Sequence, residues 1–374
     1  MKVFLRLAAG TAIALSLAGA VAFGQHYTQT NLVSNEMGVA LVTDPDLINP
    51  WGMSRSSGSP WWVSDAGTGL STLYNGVGTK LGLVVTIPAA TAGSQGIPTG
   101  TIYNGSATDF LLASGFPAKF LFSTIDGTIA GWNPGVDATA AITKFKTADG
   151  SSYTGLTSAY ICSAVYLYAA NFGKGRVDVY DTAFHPVHFG EERFEDERLP
   201  HDYVPFNVQA IGNDIVVTYA LHESGQPFET DGPGMGYVDI YSSSGRLLQR
   251  LQHGPWLNAP WGVALAPLDF GRFSHDLLIG QFAGGGTTES SGLIAAYDLA
   301  TGRFDGLLED ATGAPIAING IWAISPGNAS TGNYDAASAP AAELYFTAGP
   351  NHGAGGLIGY LTAASTDLLK GNDQ

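Results

Sequence analysis

A single cysteine, Cys162, stands in the 374 residues. One thiol makes no intramolecular disulfide, so the chain must draw its stability from its core. Its place in the apolar run SAYICSAVYLYAAN suggests a buried, inert thiol in a strand. Charge is scarce too. Only 13% of residues are Asp, Glu, Lys or Arg, about half the usual fraction. Cations are the scarcer sign: 16 Lys plus Arg against 32 Asp plus Glu leave a formal charge of −16. Such a surface repels phosphate backbones and anionic lipid, so no nucleic-acid partner is expected. Long helix-forming tracts are missing, as are a Gly-x-Ser-x-Gly elbow, a Walker loop and an HExxH pair. Past Phe23 no run is apolar enough to span a bilayer.

What is present in quantity is glycine, 50 residues, and proline, 19, within a chain that is 45% hydrophobic and 11% aromatic. This is the composition of an all-β protein with many turns and a sizeable core. The amino terminus has Lys2 and Arg6, then an apolar stretch from Leu7 to Phe23 closed by small residues. It reads as a secretory signal peptide over residues 1–24. The mature chain is then expected to be soluble, monomeric and secreted, whether periplasmic or extracellular.

Two stretches say nearly the same thing: INPWGMSRSSGSPWWVSDAGTG from Ile48 and NAPWGVALAPLDFGRFSHDLLIGQFAGG from Asn258. Each has Pro-Trp-Gly, an apolar run, a break, and a second apolar run ending in a Gly-rich turn. Intermediate copies lie between them. Aligned on the residue after the entry turn, six units begin near Gly52, Gly100, Gly155, Asn207, Gly262 and Ile321. Units of about fifty residues, each with three or four short strands, are the signature of a propeller. A lone four-stranded sheet cannot bury both faces, whereas six in a ring cover one another. The expectation is therefore a six-bladed β-propeller over residues 25–365, with a short tail at 366–374. YTQTNLVS, residues 27–34, is placed to pair with the last blade and close the ring.

The stretches NPWGMSRSSGSPWWVSDAGTGLSTLYNG, FSTIDGTIAGWNP, YVPFNVQAIGNDIVVTYA, LNAPWGVALAP and YFTAGPNHGAGGLIG resemble an uncharacterised family of exported bacterial propellers, some carrying a PEP-CTERM sorting tail. The resemblance runs from about Asn31 to Leu361. It implies fold and an exported location but no chemistry. The ending DLLKGNDQ has no apolar tail, so a sorting anchor is not implied. Two turns depart from that family's pattern, Asn351-His352-Gly353 and Ile318-Asn319-Gly320, where acidic residues are more usual. NGIWAISPG is also similar to the Asn-Gly entry of gluconolactonase-like propellers, where the resemblance implies an Asn ligand to calcium.

Candidate site residues follow from the entry turns, which should ring one end of the channel. Asn49, Asn207 and Asn319 offer amide oxygens to a hard cation such as calcium. His222 and His352 sit in loops where a zinc site could form. The competing reading makes these side chains caps of strand ends. Trp51, Trp261 and Trp322 are candidate ligand-stacking residues, or else wedges between blades. The acidic stretch GEERFEDERLPHDY, from Gly190 to Tyr203, reads as a solvated loop. Two functions stay open. One is a ligand- or protein-binding module working through the channel mouth, on a small molecule, a polysaccharide or a protein. The other is a metal-dependent hydrolase, lactonase or lyase acting there on a small molecule.

Overall fold

Period-two patterning decides the architecture. In the strand Asp214–Leu221, Ile215 and Val217 join one buried cluster with Tyr168, Val179 and Val208, while Val216 between them joins another with Ile240, Val263 and Ile279. Alternate side chains of a strand leave on opposite faces, so both faces of this sheet are buried against a neighbour. The same division recurs at Leu277, Leu278 and Ile279. Each fully buried aliphatic side chain contributes about 1.5–3 kcal/mol, which is why these strands carry almost no charge.

The structure is a computed structural model. It describes residues 25–147, 149–190, 193–282, 292–327 and 342–364. The leader at 1–24, the tail at 366–374, and Glu191 and Glu192 of the acidic stretch lie outside the described residues. Six sheets of four or five strands follow one another along the chain. Their innermost strands are Pro50–Ser54, Pro98–Tyr103, Tyr153–Ile161, Tyr203–Ile211, Pro260–Leu265 and Ile321–Pro326. Each innermost strand packs on the next around the ring, and the sixth returns to the first. The chain is a six-bladed β-propeller.

Ring closure uses the amino-terminal strand. Tyr27–Ser34 pairs antiparallel with Leu357–Ala363 of the last blade, from Tyr27 opposite Ala363 to Ser34 opposite Leu357. The two ends of the described chain are thus held in one sheet, as the sequence suggests.

Neighbouring innermost strands meet at one position per blade. A Cβ on Gly52 would fall 2.5 Å from the Thr99 carbonyl oxygen, and one on Gly100 would fall 2.4 Å from the Leu156 nitrogen. Backbone therefore lies against backbone, and only glycine fits without displacement. The series continues through Gly155, Asn207 and Gly262, which in turn meets Trp322 and Ile324. The sixth member is accordingly Ala323, so the Ile321 register is two residues early. A second correction concerns Cys162. It is exposed, in the two-residue turn between Ile161 and Ala164, with φ 56°; the apolar run around it is a hairpin, not one strand.

Candidate functional site

The residue preceding each close-packed position determines what fills the axis. In blades four, five, six and one it is Phe206, Trp261, Trp322 and Trp51. These four side chains meet. Trp51 and Trp322 stack with centroids 3.8 Å apart, and Trp261 stands edge-on to both at 6.2 and 5.9 Å. Phe206 closes the group, and Phe282 stacks on the other face of Trp322 at 4.0 Å. The tryptophans do not wedge between blades but meet at the axis. They plug the channel, and Trp322, only 2% exposed, has both faces covered.

The plug is held by directional bonds across the ring. Trp261 Nε1 donates to the Thr154 carbonyl of blade three at 2.9 Å, and Trp322 Nε1 donates to Asn49 Oδ1 of blade one at 2.9 Å. Asn207 Nδ2 donates to the Trp261 carbonyl at 2.7 Å. Thr99 Oγ1 donates to the Tyr153 carbonyl at 2.7 Å. Entry asparagines and threonines thus latch one blade to another.

A cavity lies on each side of the plug. At the end where innermost strands finish, about 350 Å³ is lined by residues of all six, including Thr101, Leu156, Asn207 and Trp261. At the end where they begin, the entry mouth, about 440 Å³ is lined by Asn49, Trp51, Trp322, Phe282, His352 and residues 226–231. The structure therefore brings Asn49, Trp51, Trp322 and His352 together at the entry mouth. It puts Asn207 and Trp261 on the opposite cavity. Asn319 is half-buried in a turn outside the linings of both cavities.

This arrangement does not suit the cation suggested by the asparagines. Asn49 spends its amide oxygen on an indole N–H, and Asn207 packs its own against Gly155, where an added Cβ would lie 2.1 Å from it. Among the described residues no group of three or more His, Cys, Asp or Glu gathers as a metal centre. The donor set fits neither calcium nor zinc.

Sequence reasoning missed the wall of the entry mouth. The turn between second and third strands takes residues 66–69 in blade one but 222–236 in blade four. The longer segment is tied down. Thr230 N donates to the Leu221 carbonyl at 2.8 Å, Thr230 Oγ1 to Glu223 at 3.0 Å, and Gly232 N to Asn258 Oδ1 at 2.8 Å. His222 stacks on Phe172 and its Nε2 donates to the Gln226 carbonyl at 2.9 Å, so this histidine braces the loop. The loop carries Phe228, Glu229 and Asp231 to the cavity. Burial pushes the Glu229 carboxyl up to about 7, and the nearby Asp231 charge adds to the rise. The signal available in the sequence was length: ETDG lies inside the longest of these turns in the first four blades.

Two donors at this mouth lack partners among the described residues. Trp51, only 8% exposed, has its Nε1 buried without an acceptor. Asn49 is oriented by Trp322, because an indole N–H only donates and must face Oδ1. Its Nδ2 is left as a second donor.

No family model matches the chain. It is similar to the uncharacterized protein R648 of Acanthamoeba polyphaga mimivirus, 29% identical over 340 residues that cover 88% of this chain and 78% of that one. Among solved structures, a Bacteroides thetaiotaomicron protein of unknown function aligns with TM-score 0.51 at 8% identity, over 90% of this chain and 76% of its own. The virginiamycin B lyase of Staphylococcus aureus aligns with TM-score 0.44 at 11% identity, over 91% and 99%. The first of these structural likenesses speaks to the fold. The relative named here is viral.

Proposed function

We propose that the protein is a binding module that takes a small, uncharged polar molecule at the entry mouth. The observation that carries this reading is a mouth cavity of about 440 Å³ whose lining sets the rings of Trp51, Phe228, Phe282 and Trp322 beside the polar side chains of Asn49, Gln226 and Thr230. Aromatic faces beside amide and hydroxyl groups suit a molecule with both apolar and hydrogen-bonding surface. The volume lies within the roughly 300–1,000 Å³ of small-molecule sites. Charge narrows the class. The described lining carries Glu229, Asp231 and His352 but no Lys or Arg, which disfavours anions. An exported setting, with residues 1–24 as leader, belongs to this reading.

Thermal-shift measurements with neutral monosaccharides, short esters and small lactones test it. At least one compound should raise Tm saturably, and Phe228→Ala, at an exposed lining position, should abolish the shift. The reading falls if none does so, or if the shift survives that substitution.

A further inference from the structure

We propose that the protein has a second ligand site at the outer edge of blade four: a cradle of arginines that takes a small polyanion, one molecule bearing at least two carboxylate or phosphate groups. The site is independent of the entry mouth. Its basis is the gathering of Arg193, Arg198, Arg246 and Arg250 around one cavity of about 550 Å³. The chain has only 16 Lys plus Arg, and four of them line this one place.

Two segments build the cradle, the linker into blade four and that blade's outermost strand, Leu247–Arg250. Phe194 anchors the linker. It is buried edge-on to Tyr168 at 5.7 Å and tilted against Tyr241 at 5.4 Å, and its N–H donates to the Gly245 carbonyl at 2.9 Å. That bond sets the neighbouring residues, Arg193 and Arg246, side by side. Asp196 makes the second tie. Its carboxylate accepts the Arg198 backbone N–H at 2.8 Å and both Nε and Nη2 of Arg250. Arg198 is thereby fixed to the strand that carries Arg250.

Three of the four charges remain available. Arg193, Arg198 and Arg246 are exposed, and their guanidinium groups make no ion pair or hydrogen bond among the described residues. Glu195 and Glu197 share the lining, yet neither bonds a guanidinium. Four arginines against two glutamates reverse, at this spot, the sign of a chain with formal charge −16.

The chemistry of the donors selects the ligand. A guanidinium fork pairs with the two oxygens of a carboxylate or phosphate. Forks spread over two segments are met by a molecule with two or more such groups. The volume is that of a small-molecule site. A long polyanion would extend over the acidic surface around the cradle and be repelled there, whereas a short one keeps its charge among the arginines.

Calorimetric titration at low ionic strength tests the proposal, with citrate and pyrophosphate as probes and acetate as the single-group control. At least one probe should bind saturably, one per chain, about 10-fold or more tighter than acetate. Arg193→Ala and Arg246→Ala should each weaken it about 10-fold with Tm unchanged, because neither side chain is bonded within the fold. Arg303→Ala, at an exposed arginine of blade five, should leave binding intact, and so should Phe228→Ala at the entry mouth. The inference is overturned if neither probe binds, if acetate binds as well, or if both cradle variants bind as the wild type does. Loss of binding in Phe228→Ala would move the anion to the mouth and overturn it too. Tighter binding of an oligonucleotide or an oligouronate than of citrate would contradict the small-ligand class.

Discussion

Two arcs of the same ring answer one packing problem differently. Blades four, five, six and one place Phe206, Trp261, Trp322 and Trp51 at the axis, whereas blades two and three place Thr99 and Thr154 there. The aromatic arc fills the centre by ring contact, from 3.8 Å stacking to 6.2 Å edge-on approach. The threonine arc contributes hydrogen bonds instead, through the Thr99 hydroxyl and the Thr154 carbonyl that receives Trp261 Nε1. Six tryptophans would not fit at one level of a narrow channel. A repeat that keeps its backbone register while dividing bulk unequally fills the hole.

Substitutions that exchange the character of the arcs break or sharpen this contrast. Trp322→Ala removes the ring at the centre of the stack and should cost about 3–5 kcal/mol in denaturant unfolding, the range for large buried aromatics. An effect no larger than that of a surface residue would show that the plug carries no stability. At the equivalent place in the other arc, Thr99→Val keeps the shape but leaves the Tyr153 carbonyl without its hydroxyl donor. About 1–2 kcal/mol is expected. Equal costs for the two variants would erase the distinction between packing and hydrogen bonding.

Much of this fold was legible in the sequence for a physical reason. Repeats, turn glycines and alternating apolar residues are local, and a propeller is a sum of local units joined to their neighbours. The equivalence of Trp51 and Trp261, and the pairing of residues 27–34 with the last blade, could be read directly. The last blade shows the limit: INGIWAISPG offers no Pro-Trp-Gly, and nothing in it distinguishes Ile321 from Ala323, the residue that the close approach of Trp322 and Ile324 to Gly262 brackets. The site was less legible because it depends on which end of a strand a side chain occupies and on what a distant loop does. Asn49 and Asn207 look alike in the chain, yet one lines the entry mouth and the other the opposite cavity. Glu229 looks like a solvated loop acid. It becomes half-buried because residues 222–236 fold back toward the axis, a contact that no periodicity announces.

Everything proposed for the mouth requires that the axis be closed beneath it by touching indoles. Indoles 3.8 Å apart couple strongly in their electronic transitions, so far-ultraviolet circular dichroism is the direct measurement. The wild-type protein should show a paired positive and negative aromatic signal that Trp322→Phe reduces, while the share of the separate Trp62 and Trp132 pair, 4.7 Å apart, and the strand signal are kept. A spectrum unchanged by that substitution would mean that Trp51 and Trp322 do not stack, that the channel is open, and that the entry mouth has no floor.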